Sequence, residues 1–268
     1  MLRLLSTDFD GTLFAEFENP AIPPSVQTAI GTLQARGAKW VINTGRDLSS
    51  LMEALARAHI AVAPDFLVLV EREIYQREDS SYVGLADWNA RCARLHAEIF
   101  AGVQPDLPRL TAWVNRRGRA TVYADCYSPF CVIAGNLGEA DSIHDFLTDY
   151  SRSLPGLAVM RNDVYMRLCH AEFNKGTALT EISRLLNLNP EVVFAAGDHL
   201  NDLPMLDTAR ARWLAAPANA IPQVKAAVRR QGGHVSDLPH GDGVAEALEF
   251  FLEGATAGAL PGNAPACR

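Results

Sequence analysis

The sequence predicts an α/β fold, a parallel-sheet core interrupted by an inserted α+β unit. Three observations carry this. Short apolar runs alternate with helical patterns at both ends of the chain, the alternation breaks between about residues 80 and 170, and polar loops, most of them holding a glycine, follow the apolar runs. Strands alternating with helices imply a parallel sheet with right-handed crossovers. At 268 residues the chain is long enough for one large domain or two smaller ones, and neither needs metal or disulfide staples to bury a core.

The elements follow in order. Residues 2–7 form an apolar run ending in a polar loop. Residues 25–36 have helical periodicity and stop at Gly37, a natural helix terminator. A short strand over 40–43, a helix over 48–58 and a buried strand over 66–70 complete the first stretch. Helices over 85–101 and 107–116 then precede strands over 120–125 and 130–134. A helix over 139–153 precedes strands over 157–161 and 164–169. Helix-strand-strand repeated twice reads as a small sheet with helices on one face. The α/β rhythm returns with helix 175–186, strand 192–196, helix 202–208, strand 212–215, helix 222–231, strand 234–236 and helix 243–252. The expected division is residues 1–79 and 171–253 for the core and 80–170 for the insert. The small, Pro/Gly-rich residues 254–268 are expected to be a disordered tail.

Composition excludes several function classes. The chain is 49% hydrophobic and 21% charged, ordinary for a globular protein. No apolar run approaches bilayer-crossing length and the N-terminus carries no signal-peptide pattern, so a cytoplasmic location and no membrane partner are expected. Five cysteines without a CxxC pair argue against a disulfide framework or zinc knuckle, and seven scattered histidines supply no zinc-hydrolase spacing. A net charge of −7 disfavours nucleic acid as a partner. An acidic chain can still bind an anionic substrate, provided it concentrates cations locally.

Four polar patches stand at the C-terminal ends of expected parallel strands or open a core helix, where open α/β sheets bind ligands. The first is Asp8-Phe9-Asp10-Gly11-Thr12. Residues two apart in extended chain point to one side, so both carboxylates can address one site, and Gly11 permits the turn. A four-position match arises by chance roughly once in 10⁵ windows, which sets a solvated acidic turn well behind. The second, Asn43-Thr44-Gly45-Arg46, offers a hydroxyl and free N–H groups to an anion. The third, Asn174-Lys175-Gly176, puts a lysine at a helix N-terminus, where the dipole disfavours it. The fourth, Gly197-Asp198-His199-Leu200-Asn201-Asp202, gathers oxygen-bearing side chains suited to a hard cation such as Mg²⁺. It also serves as a helix cap, and Asp198 is the expected ligand.

Taken together, the order of these patches resembles the haloacid dehalogenase superfamily, and the insert looks like the β-sheet cap of its Cof-type phosphatases, which include sucrose-phosphate phosphatase relatives. Gly241-Asp242-Gly243-Val244-Ala245 is similar to their C-terminal ending. The resemblance covers about residues 2–252 and implies a Rossmann-like core, Mg²⁺ as cofactor and a small phosphorylated metabolite, such as a sugar phosphate, as substrate. Two departures stand out. Glu71-Arg72-Glu73 occupies the place of an Asn-Gly-Ala turn found in many relatives, and Pro217-Ala218-Asn219-Ala220 replaces Gly-Asn-Ala.

Charge divides the labour. Like charges about 4 Å apart repel by roughly 4 kcal/mol at an effective dielectric near 20, so Asp8, Asp10, Asp198 and Asp202 need Mg²⁺, Lys175 and one retained proton to share a pocket. Asp8 is the expected nucleophile and Asp10 the acid/base. Asp8, Asp198 and, by the resemblance, the backbone carbonyl of Asp10 would hold the metal. Thr44 and the N–H groups near Gly11 and Gly45 would bind phosphoryl oxygens. Lys175 would compensate charge, with Asn201 and Asp202 in support. Arg46 is open between substrate contact and a surface salt bridge. Trp88, Trp113, Tyr123, Tyr127 and His170 either shape the leaving-group pocket or pack the insert. Two other readings compete: a phosphomutase using the same aspartate, and a phosphate-sensing module, which would have no use for Asp10.

Overall fold

The computed structural model describes residues 1–256, with side chains through residue 253. The chain opens with β1 (Leu4–Thr7), α1 (Pro24–Ala35), β2 (Lys39–Asn43), α2 (Leu48–Arg57) and β3 (Phe66–Leu69), followed by β4 (Glu73–Glu78) and β5 (Ser81–Gly84). The middle holds α3 (Ala86–Val103), α4 (Leu107–Asn115), β6 (Thr121–Tyr123), β7 (Cys131–Ile133), α5 (Leu137–Ser151), β8 (Leu157–Asn162) and β9 (Tyr165–His170). The chain then returns through α6 (Lys175–Leu185), β10 (Val193–Ala196), β11 (Trp213–Ala216), α7 (Pro222–Arg230), β12 (His234–Val235) and α8 (His240–Thr256).

The larger sheet has the order β12-β11-β10-β1-β2-β3-β4-β5, parallel from β12 to β3. β1 is central and buried along its whole length. Its successive leucines serve opposite faces, as the two-residue strand period requires. Leu5 packs with Ile30 of α1, Leu51 of α2 and Leu248 of α8, while Leu4 packs with Leu179 of α6 and Val224 of α7. From β1 the chain first builds outward through β2 and β3, and later in the other direction through β10, β11 and β12. The strand order therefore reverses beside β1, and the crevice at such a reversal is where open sheets take ligands.

The insert forms its own antiparallel sheet, β6-β7-β9-β8. Val132, Met166 and Leu168 on one face bury against Leu110, Val114, Ile143 and Leu147 of the helices, making a separate apolar core. Of the candidate aromatics, Trp113 belongs with this packing, whereas Trp88 packs against the core of the larger sheet. Trp113 stacks on Phe146 with centroids 3.7 Å apart, and Trp88 meets Phe173 edge-on.

The structure differs from the sequence reading in three places. β4 and β5 form a hairpin that extends the larger sheet antiparallel to β3, so the expected boundary at residues 79/80 falls inside it. Antiparallel strands with a face open to solvent carry polar residues, and Glu73–Glu78 has only Ile74 buried, which hides the strand from a search for apolar runs. The expected helix over 202–208 is a single 3₁₀ turn, Leu200–Asp202. Beyond it Asp207 accepts the Ala209 N–H at 2.9 Å, a side-chain bond of the kind that competes with helix. α8 begins at His240 and reaches Thr256, and the rest of the expected tail lies outside the described residues. No helix among the described residues is long and apolar enough to cross a membrane.

Gly176 shows why a glycine follows Lys175. A Cβ there would stand 2.0 Å from the Pro204 carbonyl oxygen, so the start of α6 meets the 3₁₀ loop backbone to backbone. Gly176→Ala is expected to cost about 1–3 kcal/mol through overpacking, read as a lower urea midpoint with an unchanged slope. An unchanged midpoint would show that the two segments separate freely.

Candidate active site

β1 delivers Asp8 to the crevice. The Asp8 N–H donates to the Ala196 carbonyl at 2.9 Å, fastening it to the end of β10, and the residue is 5% exposed. Phe9 points the other way, fully buried and stacked on Phe14 at 4.9 Å, which leaves Asp8 and Asp10 on the crevice side. The Phe9 carbonyl accepts from Leu13 and Phe14 N–H groups at 2.9 and 2.8 Å, closing a tight turn. Gly11 makes this turn at φ +81°, and a Cβ on it would lie 2.4 Å from Asp198 Oδ2. Thr12 Oγ1 donates to Asp198 Oδ1 at 2.9 Å. Asn219, in the segment that departs from the usual pattern, donates to the Gly11 carbonyl at 2.7 Å and ties the turn down.

Thr44 and Arg46 follow β2. The Thr44 N–H donates to Val68 O at 2.9 Å, and Thr44 Oγ1 accepts the Arg46 N–H at 3.1 Å. α2 starts just beyond, capped by Asp47. Arg46 is turned inward. Its Nε and Nη2 fork onto the two oxygens of Asp10 at 2.8 and 2.6 Å, and its guanidinium lies 5.5 Å from the ring centres of both Phe9 and Phe14. Of the two roles left open for Arg46, the structure shows an ion pair, partly buried and inside the site. The hydrogen bonds that Arg46 donates to Asp10 raise the arginine's pKa further.

Lys175 opens α6. Asn174 caps the helix, accepting the Gly176 and Thr177 N–H groups at 3.0 Å, and Thr177 Oγ1 returns the bond to the Asn174 N–H, completing a capping box. The lysine is completely buried. Its Nζ lies 2.6 Å from Asp8 Oδ1 and 2.6 Å from Asp202 Oδ1. Burial alone would lower its pKa, but the carboxylates of Asp202, Asp8 and Glu71 outweigh this and raise it. Lys175 is therefore a fixed cation.

The loop after β10 completes the cluster. Asp202 spends its Oδ2 on the Asp198 and His199 N–H groups at 2.8 and 3.0 Å, and its Oδ1 on Lys175. It shapes the loop and anchors the lysine. Ligand atoms of Asp8, Asp198 and Asp202 lie within 4.8 Å of one another. Burial, then repulsion from Asp202, raises the Asp8 pKa well above the carboxylate range and pushes Asp198 up to about 7. Two buried carboxylates and a half-buried one share one ammonium, an imbalance that a divalent cation relieves. The all-oxygen donor set fits a hard ion, and Asp8 and Asp198 are the members whose oxygens are not both committed.

A cavity of about 160 Å³ opens over this cluster. Asp8, Asp10, Thr44, Gly45, Arg46 and Glu71 line it from the core, and Tyr123, Met160, Asn162 and Arg167 line it from the smaller sheet. Asn201 is absent from this cavity. Its Nδ2 donates to Glu71 Oε1 at 2.7 Å while its Oδ1 has no partner, and it borders a neighbouring cavity of about 390 Å³. The lining residues that the sequence reading did not name as candidates include Glu71, Met160, Asn162 and Arg167. Val70 and Glu71 sit at φ 45° and 66°, the left-handed region in which Asn and Gly are at ease. The departure from Asn-Gly at this turn was the signal for Glu71. Its carboxylate is buried against Gly45, and burial raises its pKa, an effect that Lys175 partly offsets.

Comparison with known proteins agrees with this arrangement. A family model described as haloacid dehalogenase-like hydrolase matches residues 5–66 and 129–248. A phosphoglycolate phosphatase from Methanothermobacter thermautotrophicus is 31% identical over 113 residues, 42% of this chain, and the match spans only 46% of that relative's own length. A phosphoglycolate phosphatase from Methanoculleus marisnigri is 27% identical over 94% of this chain and 97% of its own. Among solved structures, the sucrose-phosphatase of Synechocystis in complex with sucrose and phosphate superimposes with a TM-score of 0.68 at 19% identity, covering 94% of this chain and 98% of that one. A haloacid dehalogenase-like hydrolase from Bacteroides thetaiotaomicron superimposes with a TM-score of 0.64 at 18% identity, covering 94% and 100%. These likenesses share the two-sheet fold, and the family model spans the loops that bring Asp8, Thr44, Lys175 and Asp198 together. The chain belongs to the haloacid dehalogenase-like hydrolase family.

Proposed function

We propose that this chain hydrolyses small-molecule phosphate monoesters with Mg²⁺, using Asp8 as nucleophile. One observation carries the reading: Lys175 Nζ grips Asp8 Oδ1 at 2.6 Å, at the floor of a cavity that also holds Asp10 and Thr44. A buried ammonium fixes the orientation of a carboxylate that would otherwise repel a phosphate dianion.

The steps follow from the groups present. An Asp8 oxygen attacks phosphorus, the ester P–O bond breaks, and the leaving oxygen takes a proton from Asp10. Water then gives a proton to the Asp10 carboxylate and attacks phosphorus, and Asp8 departs as carboxylate. Arg46 donates to both Asp10 oxygens, and an incoming phosphate competes for that guanidinium, leaving Asp10 to serve as the acid. The Thr44 hydroxyl and the N–H groups at the Gly11 and Gly45 turns bind phosphoryl oxygens. Asp8 and Asp198 would hold Mg²⁺, with the Asp10 backbone carbonyl implied by the family resemblance. When bound, the ion neutralises charge on the phosphoryl group and the nucleophile.

Three measurements test this reading. Phosphate release from p-nitrophenyl phosphate is expected to stop in excess chelator and in Asp8→Asn, and to fall about 10²–10⁴-fold in Asp10→Asn. Turnover by Asp8→Asn near the wild-type rate would overturn the proposal. A mutase would release little phosphate and respond to a sugar bisphosphate.

The pH dependence of stability tests the charge imbalance. The Asp198 carboxyl rises from 3.8 to about 7 on folding, so its contribution is present below about pH 4 and lost as pH climbs towards 7. In chelator, Tm of the wild type is therefore expected to fall more steeply over this window than Tm of Asp198→Asn, and Mg²⁺ should reduce the fall. Parallel curves would show that Asp198 ionises freely.

A further inference from the structure

The cavity wall contributed by the smaller sheet carries one charged group that nothing in the chain uses. Tyr123, Cys131, Arg167 and Met160 are paired across β6, β7, β9 and β8, forming one rung of the sheet. Met166 and Leu168, on either side of Arg167, turn into the apolar core, so Arg167 stands on the opposite face, with Tyr123 and Met160 beside it in the catalytic cavity. The other cations of the site are spoken for: Arg46 by Asp10, and Lys175 by Asp8 and Asp202. The Arg167 side chain makes no hydrogen bond or ion pair among the described residues, and its Nη1 is sealed from solvent without a partner. A buried donor left unpaired costs about 1–3 kcal/mol, more when charged. The carboxylate within its field, Glu71, is held instead by Asn201.

Arg167 also lies where a leaving group has to pass. Arg167, Glu71 and Met160 border both the catalytic cavity and the adjoining cavity of about 390 Å³, and so form the partition between them. A phosphate seated over Asp8 and Thr44 directs its ester oxygen and first carbons away from the core floor, towards this rung. A guanidinium is planar and matches a carboxylate with two parallel N–H···O bonds. One arginine balances the single charge of a carboxylate, whereas a second phosphate dianion would leave surplus negative charge beside Glu71.

We propose that Arg167 reads a carboxylate on the leaving alcohol, making phosphorylated hydroxy acids, rather than neutral sugar phosphates, the preferred substrates. This rests on the phosphatase reading above. The test compares kcat/KM for two matched pairs in Mg²⁺: 2-phosphoglycolate against 2-hydroxyethyl phosphate, and 3-phosphoglycerate against glycerol 3-phosphate. The wild type is expected to favour at least one acid over its neutral partner by about 10- to 100-fold, the range of a charged hydrogen-bonded contact. Arg167→Met should bring that ratio close to one, with Arg167→Lys between. Glu71→Gln, which keeps the acceptor for Asn201 but removes the competing charge, should raise the ratio. Neutral esters matching or beating the acids in the wild type would overturn the proposal without any variant. So would an Arg167→Met enzyme that loses activity equally on both members of a pair, since that marks a wall residue and not a reader of charge. If the wild type cleaves none of these esters and leaves p-nitrophenyl phosphate intact, the phosphatase reading itself fails.

Discussion

The buried contact between Lys175 and the carboxylates of Asp8 and Asp202 holds the site together. Its three members come from the end of β1, the start of α6 and the loop after β10, segments distant in sequence. With the lysine wholly buried and both distances at 2.6 Å, the pairing sets where three loops stop and how they face one another. Breaking such a pair by removing one member typically costs about 3–5 kcal/mol, because the survivor stays charged and dry. Much of the local sequence serves to keep this group in place. Asn174 and Thr177 cap α6 so that Lys175 can enter the site, Gly176 lets α6 approach the 3₁₀ loop, and Asp202 is braced by two backbone N–H groups.

That contact also explains the chemistry proposed for Asp8 and Asp10. Two aspartates two residues apart receive different surroundings. Asp8 is buried on an ammonium and beside Asp198, whereas Asp10 is partly exposed and paired with Arg46. The first is suited to act as a fixed nucleophile facing a cation site. The second is placed to change protonation during a cycle. The smaller sheet contributes Tyr123, Met160, Asn162 and Arg167 to the wall of the same cavity.

Most of the core was legible because its strands are buried on both faces and its loops carry rare residue combinations. Leu4 and Leu5 read as a strand because both are apolar, and Asp8, Thr44 and Asp198 stood out as candidates because each follows such a run, Lys175 because it opens a helix. The β4–β5 hairpin was not legible, since Glu73–Glu78, though paired on both sides, buries only Ile74 and shows no apolar run. The expected helix at 202–208 failed because Asp207 and its neighbours bond locally, which periodicity does not register. Glu71 announced itself only as a departure from a turn pattern, with nothing to say that its carboxylate would reach Asn201. Arg167 gave no sign at all: an arginine in a half-buried strand reads as solvent-facing until the register places it on the cavity side.

The central claim is that Asp8 carries the phosphoryl group. Acyl phosphates are reduced by borohydride to the alcohol, which would turn a phosphorylated Asp8 into homoserine. Protein mixed with substrate and Mg²⁺, quenched in acid within milliseconds, reduced and digested should yield a peptide with homoserine at position 8, absent when substrate is omitted. Phosphoryl label recovered on another residue, or steady turnover with no modified residue at position 8, would contradict the account.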